Sequence, residues 1–209
     1  MAGKKENKVK YNIKNVHYAK LTEAPDPEGG IKYTYATPTH IPGAVSISLD
    51  AEGEISTFYA DGIAYYVTAA NNGYSGDLEM AIVPASFRVD ILNEEKDEKG
   101  VLIEDANKET NPFALLFEFD GDVREIRRCL YNCTATRPSI ESETREDTVE
   151  PGTETLSLKA NPRSDGLVKA QTGPETDDTV FKNWYKTVYE KQESMAAAST
   201  MQEEPKAGK

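Results

Sequence analysis

The chain has 209 residues, a hydrophobic share of 38% and a formal net charge of −12, which allows one domain or two small ones around a modest core. It contains no run of eighteen apolar residues and no secretory apolar segment, so the expectation is a soluble, unexported protein with no membrane contact. An acidic body does not grip nucleic acid, because neutralising phosphates requires clustered Lys and Arg, but it would let DNA pass without sticking.

The charge is unevenly spread. Residues 1–20 hold six lysines and one acid, so that stretch carries +5 and the remainder −17. Residues 1–10 read as a flexible basic arm, 11–191 as a single domain and 192–209 as a flexible C-terminal tail. Val9 to Leu21 has strand composition, with Val16 and Tyr18 facing one way and His17 and Ala19 the other. Residues 24–30 form a Pro- and Gly-rich loop, and Ile31 to Ala36 is a short strand ended by Pro38 and Pro42.

Gly43 to Leu92 is the organising stretch. Val45, Ile47 and Leu49 alternate with Ser46, Ser48 and Asp50, the period-two pattern of a strand with one wet face. Asp61-Gly62 and Asn72-Gly73 are tight-turn signals, and Leu78, Met80 and Ile82 alternate with Asp77, Glu79 and Ala81. Pro84 halts the ladder and suits the first turn of a helix, whose apolar side holds Phe87, Val89, Ile91 and Leu92. The unit reads as a meander of three or four strands closed by that helix. Tyr59, Tyr65, Tyr66 and Tyr74 crowd one part of it; such residues serve core and cross-strand packing, and interfaces favour them too.

Residues 94–109 carry seven acids against three lysines and read as a surface excursion, with a short strand at Val101 to Ile103. Phe113 to Phe119 is the most apolar strand, with Phe113, Leu115, Phe117 and Phe119 on one face. Asp120-Gly121-Asp122 turns the chain into a return strand, Val123 to Thr136. Ile126 and Leu130 share one of its faces with Arg124 and Arg128, and Arg127, Cys129, Tyr131 and Cys133 the other; both faces are mixed, so protein covers part of each. Residues 138–154, with six acids and one Arg, are a second exposed excursion. Thr153 to Ala160 alternates with Leu156 and Leu158 inward, and Leu167 to Thr172 pairs back on it after a turn. Asp177 begins a helix from about Thr179 to Lys191, whose Phe181, Trp184, Tyr185, Val188 and Tyr189 recur at helical spacing. The fold class is therefore mainly β, a sandwich or barrel, with one helix after the central unit and one C-terminal helix.

Nothing in this pattern carries catalysis. His17 and His40 are the only histidines, and no nucleophile elbow is present. Cys129 and Cys133 lack the closer spacing and further ligands of a metal site, so they read as buried free thiols in a reducing compartment. Asp120-Gly121-Asp122 is better explained as a hairpin turn than as a cation loop. No catalytic residue, metal or cofactor is expected.

The run from Phe58 to Leu92, then Gly100 to Asp105, then Phe113 to Pro138, resembles the phage major tail protein family of phi-thirteen type. The resemblance spans roughly residues 8–190. Its most specific pieces are Tyr59-Ala60-Asp61, Gly73 to Ala81, Phe113 to Asp122 and Arg127-Arg128. It implies a β-sandwich or barrel similar to the haemolysin-coregulated ring protein of type VI secretion. It further implies stacked homohexameric rings forming a hollow tube through which DNA is ejected, with no specific DNA binding, no enzyme activity and no cofactor. The tail's tape measure, terminator and distal proteins are the implied partners, in a virion assembled in the bacterial cytoplasm.

On that reading, Ser46, Ser48, Asp50, Asp77 and Glu79 are candidates to line the lumen. Lys4, Lys5, Lys8, Lys10, Tyr59, Asp61, Glu94, Glu95, Glu141 and Glu143 are candidates for contacts between subunits, the basic arm meeting an acidic excursion on the adjacent ring. The competing reading is a carbohydrate-binding or adhesin-like β-sandwich on a particle surface. The single tryptophan, Trp184, falls in the terminal helix rather than on an exposed sheet, which weighs against it.

Overall fold

The computed structural model of the protein describes residues 5–27, 29–140, 144 and 151–192. Strand β1 (Lys10–Pro25) leads to β2 (Ile31–Tyr35), the short β3 (Thr39–His40) and β4 (Ala44–Glu52). Strands β5 (Ile55–Ala60), β6 (Ile63–Ala69) and β7 (Gly73–Met80) follow, then helix α1 (Ala85–Asp90) and the short pair β8 (Glu95–Lys96) and β9 (Leu102–Ile103). The chain continues with β10 (Phe113–Gly121), β11 (Ile126–Ala135), β12 (Glu154–Ala160), β13 (Lys169–Gln171) and helix α2 (Asp178–Asn183).

Nine strands make one sheet in the order β2-β1-β10-β11-β12-β7-β4, with β3 beside β1 and β13 beside β11. The pairings along it are antiparallel, as expected of short strands with one dry face. The sheet is sandwich-like: Val16, Tyr18, Phe113, Leu115 and Phe117 from β1 and β10 share one core with Leu78, Met80, Leu156 and Leu158 from β7 and β12. Helix α1 seals this core with Phe87, whose ring meets Tyr18 and Phe113 edge-on at 5.2 and 5.4 Å, and with Ile91 and Leu92 beyond its last turn. Each large apolar side chain so buried contributes roughly 1.5–3 kcal/mol relative to exposure. The opposite face of β1, β10 and β11 carries Ala19, Ala114, Leu116, Cys129 and Tyr131, and Trp184 and Val188 cover it. Both faces of β11 are thus covered by protein, as its mixed pattern implied.

Several elements depart from the sequence expectation. The stretch 43–92 is not one meander: β4 pairs with β7, while β5 and β6 form a separate two-stranded sheet. Asp61 and Gly62 both have positive φ, 52° and 76°, and close that hairpin as the sequence suggested. Asn72-Gly73 closes none. Gly73 instead lies where a Cβ would stand 1.9 Å from the Ala160 carbonyl oxygen, so the sheet needs glycine there for close approach. Val45 is exposed rather than inward, because β4 carries one extra residue against Met80 and Glu79 and bulges at that point. A second bulge in β11, where Cys133 faces Phe113 but Leu130 faces Leu115, puts Cys133 in the main core and Cys129 on the opposite face; the two thiols do not share a face.

The segment after β12 returns to β11 rather than to β12: β13 pairs with Arg128 to Leu130, in line with β12, which pairs with Cys133 to Ala135. Helix α2 ends at Asn183, well short of Lys191. Tertiary bonds take over there, since the Tyr131 hydroxyl donates to the Tyr189 carbonyl at 2.8 Å and Arg163 pairs with Glu190 at 2.8 Å. Thr187 and Val188 also have low helix propensity. Within residues 1–10, the Asn7 side chain bonds the backbone of Val123 and Arg124 and the Lys8 N–H donates to Asp122.

Candidate assembly surfaces

Three surfaces stand out. The first is the β5–β6 hairpin. Every residue of β6 is exposed, and Ile55, Phe58, Tyr59, Ile63, Tyr65, Tyr66 and Val67 are each 57–74% exposed. Tyr59, Tyr65 and Tyr66 therefore do not pack in this chain's core, and only Tyr74 is partly buried against it. The reason is topological. β5 and β6 leave the sheet between an edge strand and its neighbour, so no second layer among the described residues lies against them. Lone exposed apolar residues are ordinary, but a contiguous set of this size on a two-stranded ribbon marks an interaction surface.

The second is the wet face of β4, β7 and β12. Strand register lines up Ser46, Glu79 and Thr155; Ser48, Asp77 and Ser157; and Asp50, Ser75 and Lys159. The structure thus brings Ser46, Ser48, Asp50, Asp77 and Glu79 onto one face. Hydroxyls brace its acids: Ser46 and Thr153 donate to Glu79 at 2.8 Å each, and Ser157 donates to Asp77 at 2.7 Å. The hydrogen bonds from Thr153 and Ser46 hold the Glu79 carboxyl below its ordinary range, and those from Ser75 and Lys159 do the same for Glu52. Lys159 is also ion-paired with Glu52 at 3.2 Å, so the face presents negative charge and hydroxyls.

The third is the C-terminal clamp, which sequence reasoning missed. Glu118 is 2% exposed and accepts from Arg127 Nε at 2.8 Å, Asn15 at 2.7 Å and the Tyr185 hydroxyl at 3.0 Å. Arg127 also donates to the Phe181 carbonyl, and the Arg124 and Arg127 guanidiniums each lie 3.7 Å from the Phe181 ring centroid. One buried carboxylate thereby fixes the terminal segment to the sheet. A signal was available: Glu118 is the one charge in the otherwise apolar run Phe113–Phe119 and stands opposite Arg127 in register.

The remaining candidates scatter. Lys5, Lys8 and Lys10 are exposed, the last two beside the β10–β11 turn, and Asp61 forms the hairpin tip. Glu94 is not a free surface acid; it is 7% exposed and paired with Arg88 at 3.3 Å. Glu95 is exposed and paired with Lys108 at 2.9 Å. Lys4, Glu141 and Glu143 lie outside the described residues. Trp184 is buried at 3% beneath the clamp, away from any exposed sheet. Among the described residues no three His, Cys, Asp or Glu side chains come together as a metal site, and no helix is long and apolar enough to cross a membrane.

These features define a mainly β, sandwich-like antiparallel protein with a bare apolar ribbon and a braced acidic face. Residues 7–200 match the family model described as phage tail tube protein, so the chain is a member of the phage tail tube protein family, a structural component of the phage tail. This is the family that the ordered motifs resembled. A search of the curated proteins finds no match.

Proposed function

We propose that this protein is the major tail tube subunit, closing into hexameric rings that stack around a channel for DNA. The observation that carries self-assembly is the bare β5–β6 hairpin: seven large apolar side chains face water in a lone copy, and a second copy of a self-associating family would cover them. A hairpin on one part of a subunit meeting a different part of the next makes a heterologous contact, and such contacts close into rings when the rotation allows.

The β4–β7–β12 wet face is the proposed lining of the channel. Its carboxylates repel a passing polyanion, and the hydroxyls and the tied Lys159 offer no free cation to hold a phosphate. The exposed lysines near the N-terminus and the acidic 94–109 excursion are the proposed ring-to-ring contacts, with the tape measure, terminator and distal proteins as further partners. Production in the host cytoplasm before assembly into the tail completes this reading.

Electron microscopy of the purified protein tests it. Rings with an open centre, or tubes, are expected; a monodisperse monomer at every concentration and salt overturns the proposal. Virions carrying Asp50→Lys, Asp77→Lys and Glu79→Lys test the lining separately: slowed ejection is expected, and a normal rate excludes this face from the channel.

A further inference from the structure

We infer that Lys10, Arg128 and Lys169 form a site that receives a carboxylate from a second copy of this chain, an assignment that rests on the ring-forming reading above and names a contact within it. The site starts from an unpaired guanidinium. Arg88, Arg124, Arg127, Arg137 and Arg163 each hold a carboxylate within ion-pair distance. Arg128 is the one arginine among the described residues that does not. Its Nε donates to the neutral Gln171 side chain at 2.9 Å, and its guanidinium lies 5.2 Å from the Phe119 ring centroid. Arg128 is half-buried, and burial weakens its hold on the proton; the opposing influence is Tyr74, not an acid. Cations withdrawn from water ordinarily sit beside an anion, and this one lacks it on a chain of net charge −12.

Two lysines join it. Lys10 Nζ stands 5.1 Å from the same Phe119 centroid, so the two charges lie within about 10 Å of each other, a Debye length at about 0.1 M salt. Lys169 is paired with Leu130 on β13, diagonal to Arg128 in register. Its Nζ donates to the Tyr74 hydroxyl and lies 4.5 Å from that ring's centroid. Among the described residues Lys14, Lys108 and Lys159 are the lysines held in ion pairs, and Lys10 and Lys169 are not. Phe119 and Tyr74 are both partly buried against the main core, so the three cations flank two aromatic rings at its rim.

A carboxylate from another copy suits this patch on two grounds. Copies that each carry −12 repel one another, so cations left unpaired within one chain are where a neighbour's acids gain most, and such contacts also fix register. A guanidinium fork matches the two oxygens of a carboxylate. A phosphate could use the same fork, but the patch lies away from the proposed channel: alternation puts Tyr74 on the opposite face of β7 from Asp77 and Glu79.

The experiment mixes isotopically light and heavy full-length protein, lets it assemble and adds a carbodiimide. The reagent joins a lysine amine to a carboxylate as an amide and itself takes up the water released. Mass spectrometry should find mixed-isotope peptides linking Lys10 or Lys169 of one copy to an Asp or Glu of another. Tubes visible in the microscope without such a link overturn the assignment while leaving ring formation intact. Absence of rings and tubes from the natural protein sinks the ring-forming reading itself, and this assignment with it.

Charge removal gives a second arm. Arg128→Gln with Lys169→Gln should weaken assembly roughly tenfold or more, while Arg128→Lys with Lys169→Arg keeps the charges and should preserve most of it. The urea midpoint of the single chain should not fall in the Gln pair, since no ion pair within the chain is lost. Normal assembly of the Gln pair, or a fall in its midpoint that accounts for the lost assembly, overturns the site. So does a DNA duplex that binds the natural protein at low salt and fails to bind the Gln pair, because the patch would then serve phosphate.

Discussion

The segment from Phe181 to Tyr189 holds four aromatic side chains, Phe181, Trp184, Tyr185 and Tyr189, and the β5–β6 hairpin holds another four, Phe58, Tyr59, Tyr65 and Tyr66. The first set packs on the sheet and the second faces water. Composition does not separate them; their surroundings do. The terminal segment crosses a sheet face whose apolar residues need cover, and the Arg124, Arg127 and Glu118 side chains there bind its ring faces, carbonyl and hydroxyl. The hairpin leaves the sheet at its edge, carries no cation, and meets no comparable layer among the described residues. One aromatic cluster serves the fold of the single chain, and the other is available to a second molecule.

That division can be broken most forcefully at the clamp. Arg127→Ala leaves the buried Glu118 carboxylate without its closest cation and removes one side of the Phe181 sandwich. Breaking a buried pair from one side costs about 3–5 kcal/mol, so urea unfolding of the single chain should show a loss of that size. A loss below about 1 kcal/mol, within the range of an exposed pair, would mean that the terminal segment is held by apolar contact alone. Next in size is Gly73→Ala, at the point where the chain returns from the hairpin to β7. Its φ is 97°, and the added Cβ would stand 1.9 Å from the Ala160 carbonyl oxygen, so the β7–β12 pairing must shift. Strain of this kind costs about 1–3 kcal/mol, and the amides of Tyr74 and Ala160 should lose protection from hydrogen exchange.

Much of this architecture could be read from the chain. Period-two alternation located β4, β10 and β12, and the Asp61-Gly62 and Pro84 signals placed a turn and the start of α1. What escaped was long-range or off-period. The bulges at Val45 and in β11 each insert one residue, which moves the next side chains to the other face without altering composition. Which strand pairs with which was equally hidden: Leu167 to Thr172 suits β12 as a hairpin mate but joins β11. The wet-face residues were legible strand by strand, because alternation alone puts Ser46, Ser48 and Asp50 on one side of β4 and Asp77 and Glu79 on one side of β7; the pairing of the two strands joins the sets. The clamp was not, because its members come from β1, β10, β11 and the terminal segment, and only register unites them.

A smaller effect concerns the acidic face. Because Thr153 and Ser46 hydrogen-bond the Glu79 carboxylate, its folded-state proton affinity lies below the unfolded one. A depressed carboxyl contributes stability that is fully present above the unfolded value and is lost as pH falls through the folded one. The difference in stability between the natural protein and Glu79→Gln should therefore be constant near neutrality and shrink on acidification below the ordinary carboxylate range. Carbon-detected NMR titration of Glu79 should place its midpoint below that of an exposed glutamate; a midpoint at or above it would show that the hydroxyls do not favour the charged form.

The smallest expected change in stability comes from the hairpin, and it sharpens the comparison most. Phe58→Ser combined with Tyr66→Ser replaces two side chains that are 62% and 61% exposed. Surface changes away from caps, cores and networks usually stay within about 0.5 kcal/mol each, so the unfolding midpoint of the single chain should scarcely move. Assembly should nevertheless fail, with sedimentation showing monomer under conditions where the natural protein self-associates. A large loss of stability would mean that these aromatics already have a partner within the chain. Normal assembly would mean that the second molecule binds elsewhere, and the parallel with the terminal aromatics would then end at composition.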